Sequence, residues 1–352
     1  MTAGRLRDDE VLVAGLVRWT AARRPDRRDV RVDALHRPPA GWTNETVLVD
    51  LSWETDSGRS VEQLVVRVPP VVPSFPQHDL HAQARVHEVL SGAGLPVPRS
   101  LGVEDDPAWL GAPFFVMERV AGTVVGEVPA LDQRIAGLGP NEQRVLHERF
   151  TDAIASVHRL DVTGTRLDAV LRTGVAAEID YWSSYVEWAT DGSPPKVLAD
   201  ALDWCRRTRP PEEPEPSLLW GDTRLGNVML DDRLRIAALL DWELATLGPA
   251  EMDVAWYLAL DGLTTEFVGR TVPGFLGRAQ FLRRHEHRLG RALRDLRWHE
   301  VFALVRSVAI NDKQARLAAA AGVPYPGVPG DDNPVLHHLA RRIEQYDRRS
   351  SP

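Results

Sequence analysis

One stretch, residues 217 to 241, breaks an otherwise helical pattern in the last two thirds of the chain. Three short apolar runs lie there between Gly- and Asp-rich turns, namely Leu218–Trp220, Val228–Leu230 and Ile236–Leu240. Runs of this length bounded by turn formers are typical of short β-strands. Because loops held by a rigid scaffold carry functional side chains, we expect the polar tips of these strands to present a site.

Long amphipathic segments surround this stretch and predict helices. They cover residues 141–160, 176–190 and 195–207, and helices resume near Met252 and continue to about Arg348. We therefore expect the larger part of the chain to be mainly helical.

The first third of the chain reads as a small α+β unit. The pattern predicts a helix over residues 8–22, a hairpin from β-rich runs at 45–53 and 61–68, a second helix over 79–90, and a strand at 113–119. A chain of 352 residues exceeds the roughly 250 to 300 at which one core stops growing, so two lobes are expected. We place the boundary between them after residue 118.

Composition narrows the class of protein. The formal net charge of −8 gives no general attraction to nucleic acid. No stretch approaches the roughly 20 apolar residues that cross a bilayer, and the first ten residues lack the apolar core of a signal peptide. Cys205 is the only cysteine, so no intrachain disulfide can form. We expect a cytoplasmic protein without a nucleic-acid or membrane partner, and the sequence is silent on oligomeric state.

Three polar residues in the strand-rich stretch form the most informative motif. Asp222 and Asn227 share one loop, and Asp241 follows the next strand pattern. Phosphoryl transfer from a magnesium nucleotide needs an acid to orient a hydroxyl group and oxygen ligands for a hard, octahedral ion. An isolated Gly-Asp is most often a turn. Asn and a second Asp at this spacing favour phosphoryl transfer instead.

The same residues carry a resemblance to a known family. Gly-Asp, four residues, Asn, then a strand ending in Asp resembles the aminoglycoside phosphotransferases and related small-molecule kinases. Residues 221–227 and 240–248 are similar to the branch of kinase-like domains fused to acyl-CoA dehydrogenases. The resemblance covers roughly residues 35 to 260. It implies an α+β, protein-kinase-like two-lobed fold, with a small β-sheet amino-terminal lobe and a larger, mainly helical carboxy-terminal lobe.

The resemblance also implies roles for the motif residues. Asp222 would be the catalytic base, and Asn227 and Asp241 would be the Mg²⁺ ligands. Arg224, two residues after the base, would contact the transferred phosphoryl group. Asp253 matches a family acid that braces the catalytic loop from below. ATP or GTP would be the phosphoryl donor.

The phosphate-binding elements of the family have counterparts in the first third. Gly41, Thr43 and Asn44 match a loop that covers the nucleotide phosphates, although a plain turn would have the same sequence. Arg67 occupies the position of the strand cation, and Gln83 lies where the following helix usually carries a Glu. Only two lysines occur in the chain, at 196 and 313, so the phosphate-binding cation of this lobe must be an arginine. A Gln cannot form the usual ion pair but could hydrogen-bond Arg67.

The predicted strand at 113–119 would be the hinge. By resemblance, the backbone at Glu118 and Val120 would hydrogen-bond the adenine edge. Without the resemblance, this could be any buried strand. Trp220 stands where the family usually has a His that supports the catalytic loop.

The acceptor would be a hydroxylated small molecule. The segment 240–248 favours a hydroxyacyl or similar metabolite. The alternative is an aminoglycoside, which would need an acidic pocket. Candidates for such a pocket are Asp180, Glu187, Asp191, Asp261 and Glu266. Trp182 and Trp188 are candidate acceptor contacts.

A second alternative is a catalytically weak nucleotide-binding pseudokinase. Trp220, Gln83 and the single glycine of the phosphate loop support it, whereas the intact motif of Asp222, Asn227 and Asp241 argues against it.

An arginine-rich run on a predicted helix forms either a solvated face or an anion or coenzyme contact. Its members are Arg283, Arg284, Arg288, Arg291, Arg294 and Arg297. His285 and His287 lack neighbours at zinc-ligand spacing, so we expect no metal there.

Overall fold

The computed structural model describes residues 7–38, 44–211, 216–325 and 327–350, with side chains described up to residue 345. The predicted loop residues Gly41 and Thr43 lie outside these ranges.

The amino-terminal lobe is built on a five-stranded antiparallel sheet in the order β1-β2-β3-β5-β4. Its strands are β1 (Arg28–His36), β2 (Glu45–Thr55), β3 (Gly58–Val68), β4 (Ser100–Glu104) and β5 (Phe114–Glu118). The predicted hairpin is confirmed, since β2 and β3 pair over their full length. The sequence prediction missed β1, whose outward charged residues obscure its alternation.

Two helices cover the faces of this sheet. Helix α1 (Asp9–Arg23) packs Leu12 and Leu16 against the buried face of β2 and β3. Helix α2 (Leu80–Gly92) begins at Asp79, whose side chain accepts a hydrogen bond from the Ala82 amide and caps the helix. Both helices were predicted. The sheet is therefore a layer between α1 and α2, which places the end of β3 beside α2.

The carboxy-terminal lobe is mainly helical, as predicted. Its helices are α3 (Gln133–Ala136), α4 (Pro140–His158), α5 (Gly174–Ala189), α6 (Lys196–Arg207), α7 (Glu251–Val268), α8 (Arg278–Leu289), α9 (Leu296–Ala321) and α10 (Pro334–Ser350). Helix α9 packs against α5, α6, α7 and α10 and is the centre of the larger core. No helix in the described ranges is long and apolar enough to cross a membrane.

Short strands interrupt the helices. They are β6 (Thr123–Val124), β7 (Ser217–Leu219), β8 (Val228–Leu230), β9 (Ile236–Leu239) and β10 (Thr246–Gly248). Of these, β7, β8 and β9 lie where the sequence predicted strands, whereas β6 and β10 were not predicted. They form one sheet in the order β6-β8-β9 and a β7-β10 pair. The loops between β7 and β10 contain the whole predicted motif.

A second connection joins the lobes between β3 and α2. Phe75 is buried in the core of the carboxy-terminal lobe, where its ring lies 5.2 Å from that of Tyr185 on α5. The Tyr185 hydroxyl donates to the Ser74 carbonyl at 2.9 Å. We call residues 69–76 the interlobe strap, because this segment leaves the amino-terminal sheet, packs on α5 and returns to α2.

Candidate active site

The loop after β7 contains a glycine, Gly221, at which a side chain would collide with the backbone of Leu244. Gly221 has a φ of +85°, and a Cβ there would lie 2.0 Å from the Leu244 carbonyl oxygen. This close approach fixes the backbone immediately before Asp222.

The carboxylate of Asp222 accepts hydrogen bonds from three side chains. Oδ2 accepts from Asn227 Nδ2 at 2.8 Å and from Arg224 Nε at 3.0 Å. Oδ1 accepts from Trp256 Nε1 at 2.9 Å. Asn227 Nδ2 also donates to the Asp222 carbonyl at 2.9 Å. The carboxylate is thus held in one orientation while part of it stays exposed to solvent.

Asp253 lies beneath the loop and binds its backbone. Its carboxylate accepts from the amides of Trp220 at 2.7 Å and Gly221 at 2.9 Å, and from His158 Nε2 at 3.0 Å. Burial alone would raise the pKa of Asp253, but these donors outweigh it and lower the pKa below its ordinary value. The predicted bracing role of Asp253 is confirmed.

Trp220 supports the loop in place of the usual histidine. Its ring is fully buried, stacks on Trp242 with centroids 5.5 Å apart, and donates from Nε1 to the Leu240 carbonyl at 2.7 Å. The indole therefore ties the start of the loop that carries Asp222 to the residue before Asp241.

Asn227 and Asp241 are brought together by the β8-β9 hairpin. The Leu240 amide donates to the Asn227 carbonyl at 2.8 Å. Asp241 has a φ of +62°, an uncommon conformation for a residue other than glycine, and such strain is typical of functional positions. Asn227 uses its amide nitrogen on Asp222 and so keeps its oxygen for another partner. One amide oxygen and one carboxylate are a donor set that suits Mg²⁺.

Arg67 reaches this pair from the other lobe. Its Nη2 lies 2.8 Å from Asp241 Oδ1 and 3.8 Å from Glu243 Oε2. Burial works to lower the pKa of Arg67, but the charges of Asp241 and Glu243 outweigh it and raise the pKa. Asn44, a residue of the predicted phosphate loop, donates to Glu243 at 2.5 Å and so joins the same cluster.

Gln83 does not make the hydrogen bond to Arg67 that the sequence suggested. Both side chains are buried, but Gln83 Oε1 and Arg67 Nε have no hydrogen-bond partner among the described residues. The physical reason is that Asp241 and Glu243, carrying full charges, draw the guanidinium toward the carboxy-terminal lobe.

Arg224 is held between two carboxylates. It binds Asp222 through Nε and Glu127 through Nη1. Burial opposes the charged form, but the two acids outweigh it and raise the pKa of Arg224. Sequence reasoning missed Glu127, which precedes Arg224 by nearly a hundred residues and matches no motif.

The predicted hinge lies at the end of β5. The Glu118 amide donates to the Arg99 carbonyl at 3.0 Å, which leaves the Glu118 carbonyl rather than its amide for a base. The Val120 amide donates to no residue within the described ranges.

Other predicted features have structural roles. The sequence prediction made the arginine-rich helix too long, because α8 ends at Leu289, where Gly290 adopts a left-handed backbone conformation. Arg284 and Arg288 bind Asp152 on α4, and Arg291 binds Glu251. These ion pairs hold α8 and the turn after it against α4 and α7, whereas Arg283, Arg288, Arg294 and Arg297 are exposed, as expected of a solvated face.

The structure gives different outcomes for the two tryptophans that were predicted to contact the acceptor. Trp182 is fully buried and donates to Glu178 at 3.1 Å, so the prediction that it contacts the acceptor is wrong. Trp188 is partly exposed, with Lys313 Nζ 3.9 Å from its ring centre.

His285 is buried 3.2 Å from His158, and no cluster of three or more His, Cys, Asp or Glu suited to a metal occurs in the described ranges.

Comparison with known proteins places these features in a family. The phosphotransferase enzyme family model matches residues 34–298. Human acyl-CoA dehydrogenase family member 11 is 27% identical over 241 residues, which cover 66% of this chain and 28% of that protein. The aminoglycoside 3'-phosphotransferase of Streptomyces fradiae is 30% identical over 213 residues, covering 56% of this chain and 74% of that protein.

Solved structures share the fold. A thermostable mutant of aminoglycoside phosphotransferase APH(4)-Ia, in ternary complex with ADP and hygromycin B, aligns with a TM-score of 0.55 at 15% identity, covering 96% of this chain and 99% of that one. The chain spans about a quarter of the length of the acyl-CoA dehydrogenase relatives that it matches.

Proposed function

The chain belongs to the phosphotransferase enzyme family, and from this premise we propose that it transfers the γ-phosphoryl group of ATP to a hydroxyl group of a small hydroxyacyl compound. Membership of the family makes the chain a phosphotransferase that binds a nucleotide and acts on hydroxyl groups. The identity of the nucleotide, the requirement for Mg²⁺ and the acceptor class are the proposal.

The observation that carries it is the carboxylate of Asp222. Donors from Asn227, Arg224 and Trp256 fix this group beside the oxygen pair of Asn227 and Asp241. In the proposed reaction, Asp222 orients the acceptor hydroxyl and accepts its proton while that oxygen attacks the γ-phosphorus; the bond from this phosphorus to the β–γ bridging oxygen breaks, and ADP leaves. General-base positioning of this kind contributes about 10² to 10⁴ in rate.

The phosphoryl donor would bind on the side of Arg67. Its guanidinium and that of Arg224 carry the positive charge next to the carboxylates, and planar donors suit phosphate oxygens. Asn227 and Asp241 would hold Mg²⁺, which neutralises phosphate charge when bound. Nucleotide phosphates would compete with Asp241 and Glu127 for the two arginines.

We propose an apolar acceptor in preference to a polycation. Of the acidic candidates, Glu187 and Asp191 line one pocket with Trp188 near the end of α5, whereas Glu266 is bound by His338 and Arg341 of α10. The interlobe strap exposes two apolar side chains, Val71 and Val72. These side chains, together with the acyl-CoA dehydrogenase relatives, support an acceptor with an acyl chain.

A thermal-shift screen with Mg²⁺ and ADP present tests the acceptor class. The panel would contain hydroxyacyl-CoAs, aminoglycosides, sugars and choline-like alcohols. A hydroxyacyl-CoA is expected to raise the melting temperature because a ligand that binds only the folded state stabilises it. The same compound should then stimulate ADP formation from ATP. Stabilisation by aminoglycosides alone would overturn the acceptor class and leave the phosphotransferase reaction standing.

A further inference from the structure

A buried arginine stands between two tryptophans directly below the catalytic loop. Arg306 of α9 has its guanidinium carbon 4.9 Å from the ring centre of Trp182 and 4.5 Å from that of Trp256. Its Nη2 donates to the Gly221 carbonyl at 2.8 Å. A cation held over aromatic faces and away from water is attracted to them more strongly than an exposed cation.

Trp256 is the second member of this arrangement. One face of its ring contacts Arg306, and its Nε1 donates to Asp222 Oδ1. The two residues therefore hold consecutive points of the loop: Arg306 holds the carbonyl of Gly221, and Trp256 holds the side chain of Asp222.

The arginine is costly to bury, which argues for a specific role. Arg306 is 2% exposed, and its Nε has no hydrogen-bond partner among the described residues. Burial lowers the pKa of Arg306, and the nearby charge of Glu178 acts in the opposite direction. An apolar side chain would fill this core at a lower desolvation cost. The contact that an apolar residue could not make is the hydrogen bond to the Gly221 carbonyl.

We propose that Trp256 and Arg306 are positioning residues that fix the orientation of the Asp222 carboxylate for phosphoryl transfer. The inference rests on the proposed function of Asp222. With Oδ1 bound to Trp256 and Oδ2 bound to Asn227 and Arg224, rotation of the carboxylate would break hydrogen bonds on both oxygens. Its remaining acceptor positions are then directed before the substrate arrives, which is how pre-organisation raises a rate.

Trp256→Phe is the informative variant, because phenylalanine keeps an aromatic face for Arg306 and removes only the N–H donor. We expect kcat to fall by about tenfold to a hundredfold, with the KM for ATP unchanged, since a small misplacement of a reacting group has an effect of this size. The assay uses Mg²⁺–ATP and whichever acceptor stimulates turnover in the screen, or water if none does.

Trp298→Phe is the matched control. Trp298 is also buried and donates from Nε1 to a backbone carbonyl, that of Cys205, at 3.1 Å, but it does not contact the loop. Its kcat should equal that of the unmodified protein. If both variants lose kcat equally, or if Trp256→Phe loses none, the positioning role is refuted.

An indole N–H spectrum tests the contact without activity. The Trp256 signal, assigned by its absence in Trp256→Phe, should move upfield in Asp222→Ala because its charged acceptor is gone. An unmoved signal would overturn the inference. If the unmodified protein transfers no phosphate to any acceptor, the proposed function fails, and this spectrum still decides whether Trp256 binds Asp222.

Discussion

Arg67 on β3 lies 2.8 Å from Asp241 at the end of the β9 segment, and this ion pair joins the two lobes across the cleft. The pairing acid comes from the catalytic segment of the carboxy-terminal lobe and not from α2, where Gln83 stands. The amino-terminal lobe contains no lysine, and Arg67 is the buried cation of this lobe that lies at the candidate active site. The position of the Arg67 side chain thus depends on Asp241, one of the two residues that we propose to hold Mg²⁺.

Arg67→Ala should weaken ATP binding and slow turnover. Loss of a hydrogen bond to a charged group costs about 1.5 to 3 kcal/mol, so the KM for ATP should rise by about tenfold to a hundredfold. Steady-state kinetics at varied ATP measures this. Arg59→Ala is the control, because Arg59 lies on the same strand but pairs with the exposed Asp33. Unaltered KM and turnover in Arg67→Ala would refute the assignment of Arg67.

Trp220→Phe should destabilise the protein. The change removes the indole donor of the Leu240 carbonyl, which belongs to a partly buried residue, and the loss of one such hydrogen bond costs about 0.5 to 1.5 kcal/mol. The free energy of unfolding from urea titration measures this. Trp204→Phe is the control, because no hydrogen bond from the Trp204 indole occurs within the described ranges. Equal losses in the two variants would show that ring size matters and the hydrogen bond does not.

Stability should fall as the pH is lowered from about 6.5 to 4. Burial lowers the pKa of five histidines, to about 4 for His78, His87 and His299 and to about 3 for His147 and His285. In this window the unfolded chain binds protons that the folded protein does not. The unfolding free energy should therefore decrease by up to about 1.4 kcal/mol per pH unit for each such histidine.

Urea titrations at several pH values test this dependence. His299→Gln should reduce the slope with pH by one histidine's share. A stability that is constant or rises from pH 6.5 to 4 would contradict the prediction.

The local parts of the fold could be predicted from the sequence. The β2-β3 hairpin has a clear turn between two β-rich runs, and α2 has an aspartate at its cap. Asp222, Asn227 and Asp241 were found because they lie within 20 residues of each other and the β8-β9 hairpin brings them together.

The parts of the site that come from distant segments could not be predicted. Trp256 and Arg306 reach Asp222 and its neighbour from α7 and α9, and Glu127 reaches Arg224 from the segment after β6. A tryptophan in an apolar helix looks like a core residue, and an arginine looks like a surface residue. Only the packing of the helices reveals that both contact the catalytic loop.

The partner of Arg67 was mispredicted for a related reason. The resemblance directed attention to α2, whereas the acids that bind Arg67 lie 174 and 176 residues further along the chain. The charge of Glu243 was visible in the sequence, but its distance from Arg67 depends on how the two lobes meet.

Turnover of Mg²⁺–ATP by Asp222→Ala, measured beside the unmodified protein, tests the central claim most directly. If Asp222 is the base of a phosphotransferase, phosphoryl transfer should fall by at least about 10² to 10⁴, while ADP binding measured by calorimetry stays unchanged. Turnover in Asp222→Ala equal to that of the unmodified protein would contradict the account.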